Sequence, residues 1–195
     1  MIDYIKGEIA ELTPTEAVID CAGIGYSCLI SLQTYEKLQG QGQAKIFIHH
    51  YLREDEELFY GFATKDEREM FRMLISVSGV GCGSARMMLS SLTTEEVRSA
   101  IIGEDISKIK SVKGIGLKTA QRLVVDLKDK IVKGSETDTT ALFQTGSNAV
   151  VEEATTALVM LGFTKAAVTK VIPSILKANP SAKVEDIIKA ALQKL

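Results

Sequence analysis

Two copies of one pattern decide the fold of this chain: Ser76-Val77-Ser78-Gly79-Val80-Gly81-Cys82-Gly83-Ser84-Ala85 and, 35 residues further on, Ser111-Val112-Lys113-Gly114-Ile115-Gly116-Leu117-Lys118-Thr119-Ala120. Five of the ten aligned positions are identical. In each copy an apolar helical segment enters Gly-x-Gly and a new helix leaves it. The repeat therefore predicts two helix-hairpin-helix motifs.

Glycine pairs of this kind suit the binding of phosphate. Glycine adopts positive φ, and without a Cβ it lets the backbone approach another surface closely. The helix that follows begins with unpaired amides and the positive end of its dipole, which together form an anion site. Hydroxyl and cationic side chains nearby can add to it. We therefore expect these residues to bind DNA phosphates: Gly79, Val80, Gly81, Gly83, Ser84, Gly114, Ile115, Gly116, Lys118, Thr119 and Arg122.

A single Gly-x-Gly is weak support for binding, because such turns often only join two packed helices. Two copies in register weigh more, and they lie in a basic part of the chain. Residues 1–64 contain 4 Lys and Arg against 10 Asp and Glu, residues 65–133 contain 13 against 9, and residues 134–195 contain 6 against 6. The net charge of −2 therefore hides a basic middle third, where a polyanion should bind.

The first third has the pattern of β-structure. Segments 2–12, 17–21, 25–32, 44–52 and 58–62 are rich in Ile, Val, Tyr and Phe and are separated by Pro and Gly turns. Short strands at this spacing predict a small five-stranded barrel of the OB-fold type over residues 1–64, with a compact sandwich as the alternative.

The pattern becomes helical at residue 65. Thr64 with Glu67 and Thr93 with Glu96 each have the spacing of a capping box, and Asp105 can cap a further short helix. Residues 65–133 are therefore predicted to be an all-helical domain.

Residues 134–149 are small and polar and predict a flexible linker. Residues 150–195 predict three short helices, the first ending at Gly162 and the second capped by Thr164, with a kink or an early end at Pro173. The chain is thus an α+β multidomain protein. Because so small a domain cannot cover every apolar side chain, we expect Leu158, Leu161, Phe163, Ile188 and Leu192 to offer a surface to a partner.

Four acidic residues stand between the last two predicted strands, in the run Arg53-Glu54-Asp55-Glu56-Glu57. Such runs are most often solvated turns. Beside a DNA-binding domain, however, carboxylates repel phosphates and so disfavour intact duplex relative to strands that already diverge.

Several of these features together resemble the RuvA family. They are the start Met1-Ile2-x-x-Ile5-x-Gly7, the tip Arg53-Glu54-Asp55 followed by Tyr60-Gly61-Phe62, both glycine hairpins, and the order of strand domain, helical domain, linker and small helical domain. The resemblance covers the whole chain. RuvA is the bacterial subunit that binds Holliday junctions in the RuvAB branch-migration machine.

The resemblance implies a non-catalytic, cytoplasmic DNA-binding subunit that forms a four-fold homotetramer, which can pair into an octamer around the junction. Glu54 and Asp55 would form acidic pins at the crossover, and the hairpins would hold the four arms. A C-terminal UBA-like three-helix domain, with Leu158, Leu161, Gly162, Phe163, Ile188 and Leu192, would contact the RuvB ATPase. The RuvC resolvase would join a larger complex.

Two positions depart from the family pattern. The first hairpin usually continues Gly-Pro-Lys, whereas this chain has Gly81-Cys82-Gly83 and lacks that cation. The second usually continues Gly-Lys-Lys after a preceding Pro; here Leu117 replaces the first Lys and Lys113 replaces the Pro. The first hairpin should therefore hold phosphate through backbone amides and Ser84.

Other classes of function find less support in the sequence. It contains no stretch of 18 apolar residues, no secretory signal and no P-loop, and its three cysteines form no CxxC pair. We therefore predict no membrane, metal or cofactor. A DNA glycosylase/lyase, with Asp126, Lys128 or Asp129 as its reactive group, is the enzymatic alternative, but the helical region offers only Phe71 as an aromatic wedge. A protein scaffold that binds DNA weakly is the third.

Overall fold

The first third of the chain forms a closed barrel in the computed structural model, which describes residues 2–140, 147–179 and 182–195. The strand order is β1-β2-β3-β5-β4, and β4 pairs with β1 to close the barrel. All neighbours are antiparallel except β3 and β5. The predicted OB-fold barrel is confirmed. Its strands are β1 (Tyr4–Thr13), β2 (Glu16–Cys21), β3 (Ile24–Ile30), β4 (Gln43–Leu52) and β5 (Glu57–Phe62).

A helix inside the barrel region was not predicted. α1 (Leu32–Leu38) follows β3 directly, because Ser31 ends the strand and its hydroxyl accepts a hydrogen bond from the Thr34 amide. The predicted strand 25–32 is therefore too long. Thr34 and Leu38 are buried, so tertiary packing stabilises a helix of seven residues that would not form alone.

The middle third is helical, as predicted. Its core is continuous with the barrel, since Tyr60 and Phe62 of β5 belong to the same buried cluster as Phe71 and Leu74. The helices are α2 (Lys65–Ile75), α3 (Cys82–Ser91), α4 (Thr94–Ile102), α5 (Ile106–Lys110) and α6 (Leu117–Thr140). Residues 1–133 accordingly form one compact unit.

Only one of the two predicted capping boxes is complete. Thr93 and Glu96 cap each other at the start of α4, and Asp105 caps α5 as expected. At α2 the Thr64 hydroxyl accepts from the Glu67 amide, but the Glu67 carboxylate bonds Ser31 and Thr34 instead of the Thr64 amide. The bonds to Ser31 and Thr34 thus replace the second hydrogen bond of the predicted capping box.

The second compact unit comprises residues 134–195. It contains α7 (Ser147–Met160), α8 (Lys165–Ala178) and α9 (Val184–Leu192), around a core that includes Ala154, Val168 and Ile187. Gly162 has φ +102° after α7, and the Thr164 hydroxyl caps α8, as predicted. α8 continues through Pro173, so the predicted early end is wrong.

The predicted linker 134–149 is helical in part. α6 continues to Thr140 and α7 begins at Ser147, while 141–146 lie outside the described residues. A polar composition argues against a buried core but not against extending a helix, because the costly nucleus has already formed in the packed turns of α6. Among the described residues, no helix is long and apolar enough to cross a membrane.

Candidate nucleic-acid interface

The two glycine hairpins have the same backbone. Gly79 has φ +94° and Gly114 has φ +92°, a region that residues with a Cβ rarely adopt. After each hairpin the next helix begins with the same bond, from the Ala85 amide to the Gly81 carbonyl and from the Ala120 amide to the Gly116 carbonyl, both at 2.9 Å. The sequence repeat is thus also a structural repeat.

Within each hairpin, the residue between the glycines serves the fold. Val80 and Ile115 are buried, and their amides donate to the carbonyls of Val77 and Val112 at 3.0 and 3.1 Å. These amides are therefore occupied in the structure. Val80 and Ile115 thus anchor the hairpin in the core, and the flanking glycines form its outer surface; that Val80 and Ile115 contact phosphate stays a prediction.

The second glycine of each pair opens a helix N-terminus. Gly81 is the N-cap of α3 and has no side chain to satisfy the first amides of that helix. Its φ of −88° is ordinary, so glycine is useful here for the space left by the missing side chain and not for a positive φ. A Cβ at Gly81, Gly83 or Gly116 would meet nothing within 4 Å. These backbone amides can therefore be approached closely by an anion from outside.

The two hairpins lie side by side. A Cβ at Gly79 would stand 3.9 Å from Oγ1 of Thr119, in the first turn of α6. Val77 and Val80 from the first hairpin and Val112 and Ile115 from the second belong to one buried cluster. The shared core holds both helix N-termini at a fixed separation, as binding to two nearby phosphates requires.

Cationic side chains are concentrated at the second hairpin. Lys113 and Lys118 are exposed, and neither has a carboxylate within ion-pair distance among the described residues. Arg122 is 3.5 Å from Asp126, so its predicted role in phosphate binding would have to be shared with that ion pair. Lys110, in the last turn of α5, is also exposed and forms no ion pair with the residues that the structure describes, but it was not among the predicted site residues. Its position four residues before Gly114 was the available signal.

The acidic run forms the tip of the β4–β5 hairpin, as predicted. The Arg53 amide donates to the Glu56 carbonyl at 2.8 Å, and Glu54 and Asp55 are exposed at the turn. The Arg53 guanidinium lies 5.0 Å from the centre of the Tyr51 ring.

The base of this tip packs beside the first glycine hairpin. Tyr51, Leu58 and Cys82 all contact the buried cluster that contains Val80. Partial burial raises the pKa of the Cys82 thiol, and the nearby Arg53 charge opposes that shift. Cys82 is therefore a packing residue at the start of α3, and it lies close enough to the acidic tip for the charge of Arg53 to act on its thiol.

The surface predicted for a partner on the C-terminal unit is only partly exposed. Leu158 is fully buried, because it lies on the face of α7 that packs against α8 and α9; its prediction as a surface residue was wrong. Leu161 and Leu192 are exposed, whereas Phe163 and Ile188 are partly buried against the core. Met160, which was not predicted, is 84% exposed beside Leu161. The exposed apolar surface is therefore centred on the end of α7.

The described residues do not form a metal site. Among the residues that the structure describes, no group of three or more His, Cys, Asp or Glu side chains is placed to hold a metal ion. His49 packs against the Phe71 ring at 5.3 Å, and His50 contacts Glu57 at 2.8 Å.

Comparison with known proteins gives matches along the whole chain. Residues 1–61 match the RuvA N-terminal domain, residues 71–129 the SAM-like helix-hairpin-helix tandem, and residues 149–195 the RuvA C-terminal domain. Proteins named Holliday junction branch migration complex subunit RuvA are similar over their full length and all of this chain: 51% identical in Bacteroides thetaiotaomicron, 50% in Christiangramia forsetii and 46% in Flavobacterium psychrophilum. The chain belongs to the RuvA family.

Proposed function

We propose that this protein is the non-catalytic subunit of a branch-migration complex, which binds four-way DNA junctions and presents them to the RuvB ATPase. The observation that carries the proposal is the pair of adjoining hairpins with open helix N-termini, the first of them close to Arg53 of the acidic tip. The names of relatives at about half identity over the full chain support it independently.

The hairpins bind phosphates and do not read bases. Each offers backbone amides at a helix N-terminus, together with the Ser84 or Thr119 hydroxyl and, at the second hairpin, Lys113 and Lys118. Contacts of this kind fix the position of a duplex without discriminating its sequence. A subunit that must follow a moving crossover requires this property, because the base pairs at the junction change at every step.

The tip selects the shape of the DNA. A carboxylate 4 Å from a phosphate is repelled by about 4 kcal/mol at an effective dielectric constant of 20. Intact duplex laid across the hairpins would bring phosphates towards Glu54 and Asp55. At a four-way junction the strands separate around the centre, so the tip occupies the gap between them.

The assembly and the cellular location that we propose for this protein are those of the RuvA family. Four copies form a ring with the tips at its centre, two rings can enclose one junction, and a RuvC resolvase joins a larger complex. The protein acts in the bacterial cytoplasm, in DNA recombination and repair. The described part of one copy has one tip and one pair of hairpins, so four copies would provide one pair for each arm of a junction.

Fluorescence anisotropy with three labelled DNAs tests the proposal: a four-way junction, a plain duplex of the same arm length and a duplex with one abasic site. We expect the junction to bind at least about tenfold more tightly than either duplex at physiological salt. Preferential binding and cleavage of the abasic duplex would instead identify a glycosylase/lyase. Equal, weak binding to all three would indicate a protein scaffold.

Removal of the C-terminal unit separates DNA binding from the action of the motor. A chain that ends at Thr140 keeps the barrel, the hairpins and the whole of α6. We expect it to bind four-way junctions as the full chain does but to give no stimulation of RuvB-driven branch migration. Met160→Ser with Leu161→Ser in the full chain should lower that stimulation without affecting the fold. Full stimulation by the shortened chain would place the motor contact in the first unit.

A further inference from the structure

Two consecutive residues in the first turn of α2, Glu67 and Arg68, join the helical domain to the barrel. Both are buried, with 0% and 5% of their surface exposed. Their side chains lead to different parts of the barrel, because successive residues of a helix point about 100° apart. Buried charges of this kind are uncommon and carry a cost in desolvation, so their partners indicate what they are for.

Glu67 connects three segments through hydroxyl groups. One carboxylate oxygen accepts from the Ser31 hydroxyl and the other from the Thr34 hydroxyl at 2.8 Å. The Thr34 oxygen also accepts from the Ala63 amide at 3.0 Å, and Ser31 caps α1. The carboxylate thus joins α1, the junction between β5 and α2, and α2 itself. Burial raises the pKa of Glu67, while both hydroxyl bonds and Lys37 oppose that shift.

Arg68 bonds a different part of the barrel. Its Nη1 donates to the Asp3 carbonyl at 2.8 Å, to Oδ1 of Asp3 at 2.6 Å and, more weakly, to the Ile48 carbonyl at 3.4 Å. The guanidinium also lies 5.5 Å from the centre of the Phe47 ring. Glu67 and Arg68 therefore join the start of α2 to α1 and, separately, to β4 and the residue that precedes β1.

We call Glu67, Arg68 and their barrel partners the clasp. Along the chain, Glu67 and Arg68 lie midway between the acidic tip and the first glycine hairpin. β5 begins directly after the tip and ends two residues before the Thr64 cap. α2 then runs for 11 residues to the first hairpin, a length of about 16 Å. The Phe71 ring packs against Tyr60 and Phe62, with ring centres 5.2 and 4.9 Å apart. A change at the clasp would therefore alter the placement of the hairpin relative to the tip.

We propose that Glu67 and Arg68 are positioning residues that fix the distance between the acidic tip and the first glycine hairpin, and that selectivity for four-way junctions depends on them. The inference rests on the proposed function. Apolar residues could join the two domains at least as stably, because well-packed apolar groups avoid the desolvation cost of a buried charge. Directional hydrogen bonds to five backbone and side-chain groups additionally fix one orientation of α2 relative to the barrel.

A double-mutant cycle tests the inference on the full chain. Glu67→Ala is made once with the native tip and once in a chain that also carries Glu54→Gln and Asp55→Asn. With the native tip, we expect Glu67→Ala to lower the junction-to-duplex preference by about threefold to tenfold, which lies within the range found for coupled sites. With the neutral tip the loss of preference should be much smaller, because the repulsion from Glu54 and Asp55 has been removed. Glu67→Gln, which keeps the shape and one acceptor, should lie between Glu67→Ala and the parent.

Asp66→Asn is the matched control. Asp66 is also acidic, stands in the same helical turn and pairs with Arg98 of α4 at 2.6 Å, wholly within the helical domain. It should leave the preference unaltered in both backgrounds. Thermal unfolding shows which variants are folded at the assay temperature, and Glu67→Gln takes the place of Glu67→Ala in the cycle if the alanine variant is not.

The outcomes separate the inference from the function on which it rests. A parent chain without a junction preference contradicts the proposed function and the inference with it. A parent with that preference, combined with a loss at Glu67 that is absent or equal in both backgrounds, overturns the inference alone.

Discussion

The two glycine hairpins share a backbone and differ in charge. Gly79 and Gly114 agree in φ to within a few degrees, and equivalent bonds anchor Val80 and Ile115. The second hairpin is surrounded by Lys110, Lys113, Lys118 and Arg122. At the first hairpin the corresponding positions are Ile75, Ser78, Gly83 and Met87.

This difference shows which part of the phosphate site the duplication preserves. The hairpin backbone and the open amides are present twice, whereas the formal charge is present once. Arg86, a cation in the first two turns of α3, donates to the Thr15 carbonyl at 3.2 Å and so is directed to the barrel. We therefore propose that the first hairpin holds phosphate through amides and Ser84, and that the second adds Coulombic attraction that is sensitive to salt.

The largest effect should come from distorting the backbone of both hairpins. Gly79→Val with Gly114→Val introduces a Cβ at two positions of positive φ, which costs about 1–2 kcal/mol each and displaces the amides. We expect junction affinity to fall by about two orders of magnitude or more, since each hydrogen bond to a charged group contributes about 1.5–3 kcal/mol. Anisotropy with a labelled junction measures it.

A matched glycine controls for strain in that experiment. Gly40 has φ +80° in a turn of the barrel, with no atom within 4 Å of a Cβ, and lies outside the hairpins. Gly40→Val should retain junction binding. Full affinity in a folded double hairpin variant would exclude the hairpins as the DNA site.

The acidic tip should affect selectivity more than junction affinity. Glu54→Gln with Asp55→Asn removes two charges and keeps the shape of the turn. We expect duplex to bind about tenfold more tightly at low salt, with a smaller junction-to-duplex preference, because part of the repulsion of phosphates is lost. Glu8→Gln with Glu11→Gln removes the same charge from exposed positions of β1 and serves as the control. Equal duplex binding by tip variant and control would make the tip an ordinary solvated turn.

A gain of charge at the first hairpin should have the smallest of these effects. Gly83 is exposed in the first turn of α3, and a Cβ there meets nothing within 4 Å, so a lysine fits. Gly83→Lys should tighten junction binding severalfold and steepen the plot of log affinity against log salt by about one unit, as one further phosphate contact requires. Gly83→Gln, of similar length but neutral, should leave the slope unchanged. A lysine that changes neither affinity nor slope would show that Gly83 faces away from DNA.

The hairpins were predictable because their signal is local. Glycine spacing, the apolar residues before it and the cap positions after it lie within ten residues, and the second copy removes the ambiguity of the first. The barrel was predictable for a similar reason, since alternating Ile, Val and Tyr residues mark its strands. α1 was missed because its seven residues are too few for a helical pattern and depend on burial of Thr34 and Leu38.

The errors at single residues arise from tertiary contacts. The Thr64 spacing assigned the Glu67 carboxylate to a local cap, but Ser31 and Thr34, more than thirty residues away in sequence, bind it instead. Leu158 shares its helical pattern with exposed residues, and only the packing of three helices shows which apolar positions remain outside. The sequence alone identified the hairpins and the acidic run, whereas their positions relative to one another required the fold.

The salt dependence of junction binding by two single variants, Gly79→Val and Gly114→Val, tests the central claim most directly. Both should bind more weakly than the parent, because each loses one set of amides. Gly79→Val should keep the parental slope of log affinity against log salt, whereas Gly114→Val should lose about two units as Lys113 and Lys118 are displaced from phosphate. Parental affinity of Gly79→Val, with loss of all junction affinity and all salt dependence in Gly114→Val, would contradict the account, because the second hairpin alone would then hold the DNA.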